Sequence, residues 1–126
     1  MFTDTKAFSS FAVPDIDAAR SFYSDTLGLK VTDGDMGELG LELEGDRTIL
    51  VYPKPDHEPA NYTILNFPVE DVDAAVDELT ARGVELERYD GFDQDERGIV
   101  RGEGPDIAWF KDPAGNVLAV LAVEVD

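Results

Sequence analysis

Apolar positions in the first half of the chain fall into short runs with strand periodicity, interrupted once by a helical pattern. Residues 8–13 are rich in aromatic and β-branched side chains and stop at Pro14, which has no N–H to give a ladder, so they read as a strand. Asp15 can cap a helix that begins near Ile16. Ile16, Ala19, Phe22, Tyr23 and Leu27 share one face of that helix, and Gly28 supplies its stop. Three strands are expected next, over 29–31, 37–44 and 48–52. In the middle one Leu39, Leu41 and Leu43 alternate with Gly or Glu, the pattern of a sheet with one buried face. The run from Glu44 to Arg47 is a hairpin connection, and the prolines at 53, 55 and 59 exclude a regular element there.

The second half repeats the order. A strand over 62–67 leads to Asp71, the cap of a helix through Arg82 whose inner face is Val72, Ala75, Val76 and Leu79, with Gly83 as its stop. Residues 84–89 form the next strand candidate, 92–98 a charged loop and 99–101 a short strand or edge. Residues 107–110 and 117–123 form a terminal hairpin around Asp112-Pro113-Ala114-Gly115, whose proline and glycine positions suit a type I turn. Val13-Pro14-Asp15-Ile16-Asp17-Ala18-Ala19 matches Val69-Glu70-Asp71-Val72-Asp73-Ala74-Ala75 at an offset of 56 residues. Two copies of one supersecondary unit are expected, packed together because neither alone buries the apolar face of its sheet.

The length of 126 residues suits one domain, and the apolar fraction of 43% is spread along the whole chain, which argues against disorder. Charge changes the list of partners. With 28 acidic and 10 basic residues the formal net charge is −18, and the four Lys and six Arg are scattered among acids. Nucleic acid and anionic membranes are therefore not expected partners, because both require clustered cations. The acidic surface reads as a solvated one. The absence of cysteine removes disulfides, thiolate metal sites and Cys nucleophiles. No targeting segment or long apolar span is recognisable, so a cytoplasmic protein is the expectation.

Three motifs, from Val13-Pro14-Asp15 through Leu27-Gly28, at Val69-Glu70-Asp71 and at Asp112 to Asn116, resemble the vicinal oxygen chelate superfamily. That group includes glyoxalase I, extradiol dioxygenases, fosfomycin-resistance enzymes and bleomycin-resistance binding proteins. The resemblance implies an α+β fold in which two βαβββ repeats form a curved mixed-sheet cup. Its repeats would cover about 7–53 and 61–124 of a single domain over 1–126, joined by a linker at 54–60. It also implies a homodimer. In metal-dependent members of this group, ligands would stand at Phe8, at Ile64, at Ala119 and within the segment from Leu50 to Tyr52. None of those positions holds His, Asp or Glu, so no metal is expected, and with no phosphate-binding loop or dinucleotide fingerprint in the sequence no other cofactor is expected either.

The lone His57 lies between Pro55 and Pro59 and reads as a linker residue, while Asp93, Asp95 and Glu96 lack the glycine placement and ligand register of an EF-hand loop. Ser10 and Asn66 occupy matched places two residues beyond Phe8 and Ile64, so strand alternation sets each pair on one face. They are the candidate hydrogen-bonding groups of a ligand cleft. Tyr52, Tyr89 and Trp109 are candidates for its walls and Arg101 for its charge-recognition point. The expected function is metal-independent binding or sequestration of a small molecule. The alternatives are a glyoxalase-like lyase or isomerase or dioxygenase-like enzyme with an atypical site, and a nonenzymatic regulatory or structural dimer.

Overall fold

Both helices begin in the same way. Asp15 and Asp71 adopt extended backbone, and each carboxylate accepts a hydrogen bond from the N–H three residues on, Ala18 and Ala74 respectively, at 3.1 Å in both cases. The structure is a computed structural model and describes residues 1–102 and 104–123. The expected end of the second repeat near 124 lies outside the described residues. Two compact units are present, Met1–Glu58 and Pro59–Asp126.

In the first unit β1 (Ser10–Val13) is followed by α1 (Ile16–Ser21), β2 (Lys30–Asp33), β3 (Leu39–Leu43) and β4 (Arg47–Pro53). The sheet order is β1-β4-β3-β2, with β1 parallel to β4 and the other pairs antiparallel. The helix expected to run through Leu27 changes character after Ser21: Phe22–Thr26 form a π-helical turn, and Leu27 N–H donates five residues back to Phe22 O at 2.9 Å. Tyr23 in that turn is fully buried, 5.8 Å from the Phe11 ring on β1 and edge-on to Phe22 at 5.1 Å. With Val13, Leu39, Leu41 and Val51 it makes the core of this unit, on the sheet face that carries the odd-numbered residues of β1, β3 and β4.

The second unit contains β5 (Thr63–Val69), α2 (Val72–Ala81), β6 (Ile107–Lys111) and β7 (Val117–Ala122), with sheet order β5-β7-β6. Its core joins Val72, Val76 and Leu79 of α2 to Ala108, Phe110, Leu118 and Val120, and α2 packs on β6 and β7. β5 continues through Pro68, opposite Leu121 of β7, although the sequence pattern ended the strand at Phe67. β5 is an edge strand, so a residue without an N–H can be accommodated there. The strand expected over 84–89 is reduced to a single bridge between Leu86 and Phe110, and 99–101 to bridges of Val100 with Gln94 and Ile107. Backbone groups that would continue the first of these ladders bond instead to the Gln94 side chain.

The turn between β6 and β7 is closed by Gly115 N–H donating to Asp112 O at 3.0 Å, as the type I pattern requires. Buried Asp112 stabilises it further by accepting from the N–H groups of Ala114 and Asn116 and from the Asn116 side-chain amide, each at 2.9 Å.

Two arginines tie α2 to the segment that follows it. Arg97 donates to the Asp73 carboxylate and carbonyl, both at 2.7 Å, and also meets Asp77. Arg101 reaches Asp73 at 2.6 Å and both Asp95 and Asp106 at 3.3 Å. The Arg101 hydrogen bond is the main cause holding the Asp73 carboxyl below the ordinary range. Burial pushes Asp95 upward, but the N–H groups of Ile99 and Arg97 together with Arg101 outweigh it, so its net shift is also downward. A carboxyl depressed in the folded state contributes stability above its unfolded pKa of about 3.9, and that contribution disappears as pH falls through the folded value. Thermal melts of the wild type and Asp73→Asn should therefore differ at neutral pH, with the variant lower, and converge under strong acid. Parallel curves over that range would contradict this account of the cluster.

Candidate functional site

Strand alternation gives each sheet a second face, away from its core. In the first unit that face holds Ser10 and Ala12 of β1, Thr48, Leu50 and Tyr52 of β4, Gly40 and Glu42 of β3, and Lys30 and Thr32 of β2. One register row reads Ser10, Leu50, Gly40, Thr32 across the four strands. A Cβ at Gly40 would lie 2.7 Å from the Thr32 hydroxyl, so the row leaves no room for a larger residue without movement. Ser10 and Tyr52 thus share this face, both exposed.

The corresponding row of the second unit reads Asn66, Ala119, Trp109 across β5, β7 and β6. Glu87 N–H donates to Trp109 O at 2.7 Å and extends the row by one residue beyond β6. Ser10 and Asn66 therefore hold the same place in their rows, each on the strand that precedes its helix. Trp109 carries two further rings. Tyr89 stands nearly perpendicular at 75° and 5.5 Å, and Phe92 is tilted at 5.2 Å. Burial, aided by Glu87 and opposed by Lys111, pushes the Tyr89 phenol above its ordinary pKa. This row presents the exposed Asn66 side-chain amide and three aromatic rings, with the fully buried Ala119 between Asn66 and Trp109.

Arg101 stands apart from this group. Its guanidinium is committed to Asp73, Asp95 and Asp106, which hold it still more firmly protonated, with Asp73 the largest influence. The pattern of charges in the sequence contained no sign of that pairing. Asp95, read from the sequence as part of a charged loop, is half-buried and bonds to the N–H groups of Arg97 and Ile99 at 2.9 Å.

Phe8 and Ile64 do not set the faces of Ser10 and Asn66. Phe8 precedes β1, and the β5–β7 register shifts between Thr63 and Leu65, so Ile64 lies in a bulge. The faces of Ser10 and Asn66 follow from their own pairings with Leu50 and Ala119, not from Phe8 and Ile64. Sequence reasoning also missed two carboxylates. Glu42 accepts from Thr48 at 2.9 Å and from Thr32 at 3.3 Å, and Glu87 pairs with Lys111 at 3.3 Å. Their strand-like alternation was visible, but it gave no distinction from the other surface acids.

The side chains at the family-implied metal positions do not fit a metal. Phe8, Ile64 and Ala119 have no donor atom, and the β4 segment offers only the Tyr52 phenol. Among the described residues, no group of three or more His, Cys, Asp or Glu is arranged to hold an ion. Among those residues, too, no helix is long and apolar enough to cross a membrane.

Several solved structures share the fold. An antibiotic-binding protein, TnmS3 from Streptomyces sp. CB03234, is 25% identical with a TM-score of 0.69, over 97% of this chain and 99% of that one. The fosfomycin resistance protein FosX from Listeria monocytogenes is 15% identical with a TM-score of 0.70, over 94% and 93% of the two chains. A glyoxalase family protein from Enterococcus faecalis is 20% identical with a TM-score of 0.64, over 96% and 99%. No curated protein matches the chain. The family profile spans residues 7–120, and with it the α+β architecture has its place: the chain belongs to the Glyoxalase/Bleomycin resistance protein/Dioxygenase superfamily.

Proposed function

We propose that this protein binds or sequesters a small organic molecule without a metal, using the sheet face of the second unit that carries Asn66 and Trp109, with the face of the first unit that carries Ser10 and Tyr52 as a separate candidate surface. The carrying observation is the Asn66, Ala119, Trp109 row with Tyr89 and Phe92 against the indole. A side-chain amide supplies two N–H donors and a carbonyl acceptor, while aromatic surfaces contribute dispersion and favour a planar, partly aromatic ligand. The 25% identity to an antibiotic-binding protein over nearly the full chain supports a binding role. Arg101 enters this proposal as a brace for the 94–101 segment, in place of the ligand contact expected from sequence. A cytoplasmic location and homodimeric assembly belong to the same reading.

Trp109 is the only tryptophan in the chain, so intrinsic fluorescence reports this surface directly. Screening planar metabolites and antibiotics against that signal should identify a compound that retains its affinity in the presence of chelator. Asn66→Leu should then weaken it about tenfold, the effect of losing roughly 1.4 kcal/mol of hydrogen bonding, while the melting temperature changes little. Unchanged affinity would remove Asn66 from the site, and a failure to fold would assign it a structural role. For assembly, light scattering should give about twice the 13.8 kDa chain mass, and a monomer persisting at high protein concentration would contradict the dimer.

A further inference from the structure

Tyr89 and Phe92 lie outside the strands, yet both meet the Trp109 ring, so something other than a ladder must fix the chain that bears them. Gln94 supplies that fixation. Its Oε1 accepts from Tyr89 N–H at 2.7 Å, and its Nε2 donates to Glu87 O at 3.0 Å and Gly98 O at 2.8 Å. The carbonyl of 87 and the amide of 89 are groups that a neighbouring β-strand would ordinarily address. One side-chain amide takes the place of that strand. Both its N–H hydrogens are used, so turning the amide over would bring its oxygen against two carbonyls.

The far side of Gln94 is anchored as well. Asp95 N–H donates to Ile99 O at 2.9 Å and Gly98 N–H to Asp95 O at 3.0 Å, closing a tight turn, while Arg97 binds Asp73 and Asp77 on α2. Gly98 is buried at φ +89°, and a Cβ there would lie 3.3 Å from Leu86 Cβ and 3.5 Å from Glu87 O. The clamp therefore relies on the left-handed backbone that glycine allows at 98, and a side chain there would press on Leu86.

We infer that Gln94 is a positioning residue that holds Tyr89 and Phe92 against Trp109 and so presets the aromatic wall of the candidate site. The use of that wall for a ligand rests on the function proposed above, whereas the clamp itself does not. Preset rings spare a ligand the entropy of ordering them, so Gln94 acts on affinity without contact.

The test uses the full chain without ligand and acrylamide as a neutral quencher of Trp109 fluorescence. Gln94→Ala should increase the quenching constant roughly twofold or more through local opening, with the far-UV circular dichroism retained. Gln94→Glu preserves side-chain size but sets a carboxylate against the carbonyls of Glu87 and Gly98, and should have the same effect. Adding Gln94→Ala to Phe92→Ala should raise quenching less than it does alone, because the two act through one wall. A general loss of stability would instead give independent increments. In the wild type, the Tyr89 amide should be protected from hydrogen exchange, a readout that remains decisive if the variants do not fold. Unchanged quenching in a folded Gln94→Ala protein, full additivity with Phe92→Ala, or an unprotected Tyr89 amide would overturn the inference. Because no ligand is used, each of these results stands apart from success or failure of the binding proposal.

Discussion

The register between β7 and its neighbours β5 and β6 is the constraint on which the candidate site depends. Side chains alternate with a period of two along a strand, so a one-residue slip would exchange Asn66 and Trp109 for Phe67 and Phe110 or their neighbours on the core side. Leu118, Val120 and Phe110 resist such a slip because all three are buried against the helix side of the sheet. The hydrogen bonds around Asp112 hold the connecting turn in the same register. The polar and aromatic row is thus a consequence of how the core is packed.

Much of this organisation is legible in the order of residues. The paired aspartates that cap the helices, the alternation of Leu39, Leu41 and Leu43, and the proline and glycine of the last turn are local signals with local physical causes. The matched places of Ser10 and Asn66 follow from the repeat and persist in the two register rows. Features that depend on distant partners were not legible. Arg101 gave no indication that three aspartates would surround it, and Gln94 was one polar residue in a charged loop until the fold brought it to the backbone at 87, 89 and 98. The π-helical turn after Ser21 and the strand passing through Pro68 likewise contradict local expectation, the latter because an edge position relaxes the need for an N–H.

Membership of the superfamily sets the architecture, while the residues on each sheet face set the chemistry. Phe8, Ile64 and Ala119 cannot donate to an ion, and the carboxylates of Glu42 and Glu87 are engaged by threonines and Lys111 respectively. What the second unit does offer is an amide on the same sheet face as a cluster of rings whose placement is braced from both sides, by Gln94 at the backbone and by Arg97 at α2. Binding chemistry built on rigid aromatic surface and one oriented amide suits recognition by shape, with little contribution from charge.

Recognition is proposed on the face of the β5-β7-β6 sheet that carries Asn66 and Trp109, with no metal required. Nuclear magnetic resonance shift mapping of a bound compound, on protein dialysed against chelator, tests it most directly. The largest perturbations should fall on the Asn66 side-chain amide, the Trp109 indole, the Ala119 backbone amide and Tyr89. Perturbations centred on the buried face around Val76 and Phe110, or binding that returns only when a divalent metal is restored, would contradict it.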